Sequence, residues 1–497
     1  DAQRLATTLL DEGGDKSGAT VDSIMLESAG NPFLLAELVR FHQSGAGVSR
    51  AYSGEILLED LLEARLEQCG EAARLLLEIV AVAGRPIAID VAAAAAELEP
   101  SVARASLAQL RAAQLVRRVR VRDHDGLDTS HDRIREALPR LVDDADLVKR
   151  HARLVAAIEA SRDPDPEALA THCHAAGYLE RAGEYAEKAG DLAVATLAFD
   201  RAADWFGRSL LWRSGAAREL RRKRADALAN AARGAEAGRE YLRAAEGLTG
   251  SEGTELRRRA AAELLTSGCV DEGVVVVREV LASIDASYPA TSGVAFFLFA
   301  LSSLLLLVRG YGFTRRAADK VSPYALHRVD TFRALMSGLV VIDNARGRYF
   351  TNRFCLAALK VGEPHRVAIA LASQTANAAA FGTSGEARVK RLERQLAELE
   401  RTLSSPMVTA YQTMTAGWVR YFFGSFEEAM PLLASSSDSF RASVPGSSWE
   451  RDTSEIFAVS SLWFLGRMRD LRARVADLRE DAVRRGDQFL TLMVGIG

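Results

Sequence analysis

A six-residue turn recurs along this chain of 497 residues and restricts its fold more than any other feature. Its form is a small residue, any residue, an apolar residue, usually a charged pair, and then a small or apolar residue. The copies run from Gly177 to Ala182, Leu197 to Ala202, Ala232 to Ala237, Gly268 to Gly273, Gly424 to Ala429 and Gly466 to Leu471. The final residues Ala202, Ala237 and Gly273 stand 35 and 36 residues apart, near the period of about 34 residues of a two-helix repeat. Ala182 and Ala202 are separated by a single helix. A glycine lets the chain reverse after one helix, and a small residue in the next lets two backbones approach closely. Phe206, Tyr241 and Val277, one turn on, are sized to fill the gap to the following pair.

Composition agrees with a helical protein. Hydrophobic residues make up 48%, charged residues 26% and the net charge is −3, which implies no global affinity for polyanions. Few prolines and aromatics against abundant Ala, Leu, Arg and Glu favour helices. The fold class expected is mostly all-α: a helical lid, a small winged helix with a two-stranded wing, then a tetratricopeptide-like α–α superhelical solenoid. The domains expected are 1–68 (lid), 69–150 (winged helix), 151–285 (repeats) and 286–497 (irregular repeats). The chain begins at Asp1 and its apolar end, Phe489 to Gly497, lacks a helix-ending signal, so both ends are expected to be cut.

Within 1–68, Asn31 is placed to cap a helix that opens with Pro32, a residue that costs no hydrogen bond in a first turn. Ser44 to Ser53 reads as a linker before a helix from Glu55 to Gln68. Within 69–150, three helices are expected, with the short apolar run Ile87-Ala88-Ile89 after the first. The alternating Leu115 to Val121 then reads as a strand, and Asp125-Gly126 as its hairpin turn. In residues 283–415, Gly347 and Gly382 are the expected turns. Ala286 to Val308 carries no charge and could span a bilayer by length. Pro289 and its polar neighbours leave only Val294 to Val308, so a buried core helix is expected, with no membrane contact.

No catalytic centre emerges. Gly13-Gly14-Asp15-Lys16-Ser17 lacks the spacing and preceding strand of a P-loop. His131-Asp132-Arg133 resembles a kinase catalytic loop only superficially and reads as a helix cap. His172-Cys173-His174 places its imidazoles about 200° apart on a helix, so they cannot share a metal ion. Cys69, Cys173, Cys269 and Cys355 form no local CxxC pair, and a reducing cytoplasm is expected. Arg117, Arg118, Arg120 and Arg122 on the wing could contact DNA phosphates or a neighbouring domain. The helix Val102 to Ala113 offers few base-reading side chains, so nucleic acid is not the favoured partner.

The order of these pieces is familiar. Glu27 through Leu38, with Gly30, Asn31, Pro32 and Phe33 at its centre, resembles the lid motif that closes the ATPase domain of STAND-class, AAA-like signalling ATPases. Leu58 to Leu66, Ala72 to Leu77 and Gly84-Arg85-Pro86 resemble the helices and winged helix that follow. His131 to Ala137 and Leu197 to Ala203 are similar to the wing exit and the first repeat. The resemblance is closest to large bacterial proteins in which a serine/threonine protein kinase precedes an AAA-type ATPase and a helical-repeat tail. LuxR-type activators and nucleotide cyclases share the arrangement, and a stand-alone adaptor is the remaining alternative. It implies kinase and ATPase domains upstream in cis, with ATP and Mg bound there and no cofactor here. A protein or small ligand would bind the solenoid. The structural turn residues expected to matter are Gly177, Ala182, Ala202, Ala237, Gly268, Gly273, Gly424, Ala429 and Gly466.

Overall fold

In the computed structural model, all six copies of the recurring turn adopt one conformation. The first residue has a positive φ in every copy: +81° at Gly177, +58° at Leu197, +60° at Ala232, +86° at Gly268, +81° at Gly424 and +69° at Gly466. The N–H of the second residue donates to the carbonyl five residues back, as from Tyr178 to Cys173, Arg233 to Leu228 and Ser425 to Arg420, each at 2.8 Å. The first residue's N–H bonds three residues back, as from Gly424 to Tyr421 at 3.0 Å. Together these bonds satisfy the last carbonyls of a helix in the Schellman arrangement. The second residue's carbonyl accepts the first bond of the next helix, as at Ala429 to Ser425, 3.0 Å. One short segment therefore ends one helix and starts another. The sixth residue is fully buried at Ala182, Ala202, Ala237 and Ala429. At Gly273 an added Cβ would lie 2.7 Å from Leu265 Cδ2.

The structure describes residues 2–12, 18–43, 58–121, 124–213, 215, 217–340, 343–444 and 446–495. The expected linker Ser44 to Ser53 and Arg122 lie outside them. The chain divides into two units, residues 1–189 with 211–213, and residues 190–210 with 214–497.

The first unit opens with α1 (Ala2–Glu12), α2 (Gly18–Ser28), α3 (Pro32–Gln43) and α4 (Leu58–Gln68). Next come α5 (Glu71–Val82), β1 (Ile87–Ala88), α6 (Ile89–Ala95), α7 (Pro100–Ala112), β2 (Val116–Val121) and β3 (His124–Thr129). It continues through α8 (Asp132–Ala137), α9 (Asp144–Glu159), α10 (Pro166–Ala175) and α11 (Leu179–Ala195). Leu38, Leu62, Leu77, Leu110, Leu127 and Leu154 share its core. Arg65 donates to the Ala113 carbonyl at 3.0 Å and Arg133 to the Glu27 carbonyl at 3.2 Å, tying α4 and α2 to the segment that follows.

Two expectations change here. The sheet has three strands, not two, in the order β1-β3-β2. Ile87 pairs with Leu127 and Ala88 with Gly126, because the short apolar run is extended and finds a free strand edge. Asp125-Gly126 is not the hairpin turn, since Gly126 sits in β3 opposite Val119. A Cβ there would lie 2.4 Å from Val121 Cγ2 and 3.0 Å from the Ile87 carbonyl. The glycine is needed for close strand approach.

The second unit comprises α12 (Phe199–Trp212), α13 (Ala217–Asn230), α14 (Gly234–Ala245), α15 (Gly250–Thr266), α16 (Val270–Ser283), α17 (Ser292–Arg309) and α18 (Pro323–Leu339). After these come α19 (Asn344–Val361), α20 (Pro364–Ala379), α21 (Glu386–Leu403), α22 (Pro406–Phe422), α23 (Phe426–Ser443), α24 (Ser448–Phe464), α25 (Met468–Arg485) and α26 (Gln488–Gly495). Successive helices pack from α13 to α16, α15 hands the stack to α18, and it runs on to α25. Phe206, Tyr241 and Val277 are buried, as their size requires. Gly382 lies in a turn with φ +62°. Gly347 does not: it is inside α19, where a Cβ would meet the Val340 backbone at 2.4 Å, so its smallness serves helix packing.

The stack returns to its own start. The N–H groups of Gln488 and Phe489 donate to the Ser267 carbonyl at 3.1 and 3.3 Å. Arg485, whose side chain is 5% exposed, binds both oxygens of Asp452 at 3.1 Å and Asp481 at 2.9 Å. It also reaches Asp487 at 3.3 Å and the Ala232 carbonyl at 3.4 Å.

The helix α17 departs most from expectation. It was expected in the core, yet it buries only a stripe, Ala295, Ser302 and Leu306, and exposes Phe296, Phe297, Leu304, Leu305, Leu307 and Val308. The cause is its place outside the stack: α18 packs on α15, and α17 is covered by α19. It is long and apolar enough to cross a membrane.

Replacing Leu197, 67% exposed and in the left-handed region, by glycine is expected to stabilise the chain by ~0.5–1 kcal/mol in urea unfolding. Gly424→Val is expected to destabilise by ~1–2 kcal/mol, with no side-chain clash to confound it. Arg485→Met removes the only cation found on buried Asp487 among the described residues and leaves Asp452 with Arg451 alone, and is expected to cost ~3–5 kcal/mol.

Candidate functional site

Two of the cavities in the second unit lie side by side between its helices. The larger, about 720 Å³, is polar and is lined from α13, α14, α15, α18, α20 and α24. Its charges are largely spoken for. Tyr241 donates to Asp226 at 2.5 Å, and Arg259 binds Asp226 at 3.1 Å and Glu255 at 3.0 Å. Arg366 makes a two-pronged pair with Asp330 at 2.8 and 2.7 Å. Arg333 donates to Tyr411 at 2.9 Å and to Glu450 at 3.1 Å, and the Tyr411 hydroxyl also donates to Glu450. Burial pushes the Tyr411 phenol well above its ordinary range, with Glu450 adding to the effect. Such a paired network fixes helix positions and leaves little charge to offer a ligand.

Glu263 is the exception on this wall. No hydrogen bond to its carboxylate is found among the described residues. Burial, reinforced by the nearby Glu450 charge, pushes its pKa up to about 7.

The smaller cavity, about 340 Å³, is apolar and shares Trp449 with the larger one. Met336, Ala376, Tyr411, Trp418, Phe422 and Phe457 form its walls. Trp418 and Phe457 meet edge to face at 5.9 Å. Two buried polar atoms on its lining, Trp418 Nε1 and Thr453 Oγ1, have no hydrogen-bond partner among the described residues. Arg348 is the one charged residue among those lining it. Its Nε donates to Asn344 at 2.9 Å, and its guanidinium lies 5.4 Å from the Phe381 ring centre. Burial lowers its pKa, and no acid among the described residues pairs with it. A drug-sized volume with apolar walls and a few convergent polar groups is the usual make-up of a small-molecule site. An unpaired indole N–H and hydroxyl demand partners when buried.

The residues singled out from sequence lie elsewhere. Asn31 Oδ1 accepts from the Leu34 N–H at 3.2 Å and so caps α3, after Gly30 at φ +73° and with Pro32 in the first turn. Phe33 lies in the same turn of α3. Arg117 binds Asp128 at 2.8 Å, and Arg135 binds the same carboxylate at 2.5 Å. Burial would raise the Asp128 pKa, but those two arginines hold it below its ordinary value. Arg118 and Arg120 are exposed on the opposite face of β2, without an ion pair among the described residues. Arg117 on one face and Arg118 with Arg120 on the other therefore do not form one patch. His172 faces His151 at 3.0 Å, and His174 stacks on Trp212 at 4.4 Å between ring centres. The His131 ring caps α8 by accepting from the Arg133 N–H at 3.2 Å. Arg348, Trp418 and Thr453 escaped sequence reading because they come from three helices far apart in the chain.

A raised carboxyl pKa means the folded chain holds its proton longer than the unfolded chain. The Glu263 contribution to stability therefore falls as pH rises from about 4.5 to about 7, then levels off. Glu263→Gln is expected to raise the unfolding midpoint at pH 8 and to leave it unchanged near pH 4, measured by thermal unfolding.

No protein-family model matches the sequence, and no curated protein matches it. Among solved structures, the chain is similar to the crystal structure of a signal transduction ATPase with numerous domains, a STAND protein with a tetratricopeptide repeat sensor, from Pyrococcus horikoshii. The two are 10% identical with a TM-score of 0.34, and the match covers 97% of this chain and 66% of that one. At that score the two chains superpose only loosely.

Proposed function

We propose that this chain is a non-catalytic sensing and regulatory arm of a larger ATP-dependent signalling protein, and that its apolar cavity is the ligand site. The observation that carries the ligand reading is the pairing of an apolar cavity with a Trp418 N–H, a Thr453 hydroxyl and an Arg348 charge that have no partner of their own among the described residues. That set suits a small molecule with an apolar body and an anionic head. The guanidinium takes the head, and the indole N–H takes a second acceptor atom.

In this reading 1–68 is the lid of an ATPase domain, 69–150 a winged helix, and 151–285 with 286–497 the repeat region. The order of α5, β1, α6, α7, β2 and β3, with its antiparallel ribbon, supports the winged helix. The parent would carry ATP and Mg in an upstream ATPase, with a serine/threonine kinase as output, in the cytoplasm. A ligand regulates such a protein only if it binds two arrangements of it with different affinity. A nucleic-acid role draws on the exposed Arg118 and Arg120, but Arg117 is already engaged by Asp128.

Calorimetric titration of the full chain with decanoate and with decanol tests the site. Decanoate is expected to bind at least about tenfold more tightly, the worth of one charge-assisted hydrogen bond, and Arg348→Met to erase the difference. Equal affinities, or a difference that survives Arg348→Met, would reject the site.

A further inference from the structure

The outward face of α17 has no partner among the described residues of the second unit, yet α17 is firmly held. Asn352 donates to the Phe299 carbonyl at 3.3 Å and to the hydroxyls of Ser302 and Ser303 at 3.0 and 2.9 Å. Ahead of the helix, Arg346 donates to the carbonyls of Pro289 and Ala290 at 2.9 Å. Its buried stripe, Ala295, Ser302 and Leu306, is fixed on α19. Around the rest of its circumference the exposed apolar residues fan over an arc of about 180°, by the 100° step of a helix. Phe297 is 67% exposed and Val308 81% exposed. A single partner helix covers a narrower seam than this, whereas a bilayer surface accepts the whole arc.

Charge selects the kind of surface. No acidic residue occurs from Ala286 to Ala318, while Arg309, Arg315 and Arg316 follow the apolar run. Arg309, Arg316 and Lys360 line one open cavity of about 680 Å³ at the C-terminal end of α17, with no acidic side chain among its lining residues. Arg315 stands 3.9 Å from Glu398 and is discounted. Arg309 spends one nitrogen on the carbonyls of Gly310 and Gly312 and keeps its charge unpaired among the described residues. Unpaired cations at the end of an apolar helix, on the side away from its exposed arc, match phosphate headgroups above acyl chains.

We propose that α17 docks this chain on an anionic lipid membrane. It lies in the plane of the interface, with Phe297, Leu304 and Val308 in the acyl region and Arg309, Arg316 and Lys360 on lipid phosphates. The helix does not span, because spanning would tear Ser302 and Ser303 from Asn352 and uncover α19.

The test is co-sedimentation of the full chain with vesicles of phosphatidylcholine alone and with 30% phosphatidylglycerol, an anionic fraction of about the size found in cell membranes. Binding is expected to be at least about tenfold stronger to the anionic vesicles and to weaken in high salt. The triple variant Phe297→Ser, Leu304→Ser, Val308→Ser is expected to lose binding while keeping its circular dichroism, since all three side chains are exposed. Should that variant misfold, Arg316→Glu with Lys360→Glu, both exposed, decides by losing the preference for phosphatidylglycerol. Failure of the wild type to bind vesicles, or binding untouched by either variant, overturns the proposal. So does a wild-type dimer in light scattering that the serine variant dissolves without any vesicle binding, which would make a second copy the occupant.

Discussion

The structure hangs on a backbone hydrogen-bond pattern that ends one helix and starts the next without an intervening loop. A residue in the left-handed region turns the chain, and the following peptide serves both helices. Because the reversal is so short, two helices must lie side by side from their first turns. The buried alanine or glycine at the sixth position sets how closely they lie. Glycine is the low-strain choice for the turn, and Leu197 and Ala232 show that packing elsewhere can hold an L-residue there.

From that local geometry comes a stack, and from the stack a closed body. The Arg485 cluster and the bonds to the Ser267 carbonyl join residues more than two hundred positions apart in the chain. The volume between these helices is lined by α13–α15, α18, α20 and α24 on one side and by α18–α20, α22 and α24 on the other. Its polar part is a balanced charge network that resists deformation. Its apolar part is under-satisfied, with hydrogen-bonding groups that have no partner among the described residues. That contrast is why the apolar cavity, and not the larger polar one, is the better place for a ligand.

Much of this architecture is written locally and could be read. The turn copies, the Asn31 cap, the His131 cap and the helix–helix–ribbon order all depend on residues within a few positions of one another. What the sequence hid is non-local. Ile87 and Ala88 are too short a run to announce a strand until β3 offers an edge. Gly126 follows Asp125 as a turn would, but the approach of β1 claims it. The apolar periodicity of α17 says it avoids water and cannot say which surface covers it. Arg348, Trp418 and Thr453 have no mutual spacing, so only the folded stack brings them to one cavity.

Closure of the repeat region at Arg485 and the ligand site proposed between α18–α20 and α22–α24 are both open to one measurement. Hydrogen–deuterium exchange of the full chain tests them most directly, through the amides of Arg485 to Val494. These amides are expected to exchange as slowly as the core of α15, and decanoate is expected to slow α22 and α24 further. Exchange of this segment at the rate of an unfolded chain, with α22 and α24 indifferent to decanoate, would contradict both.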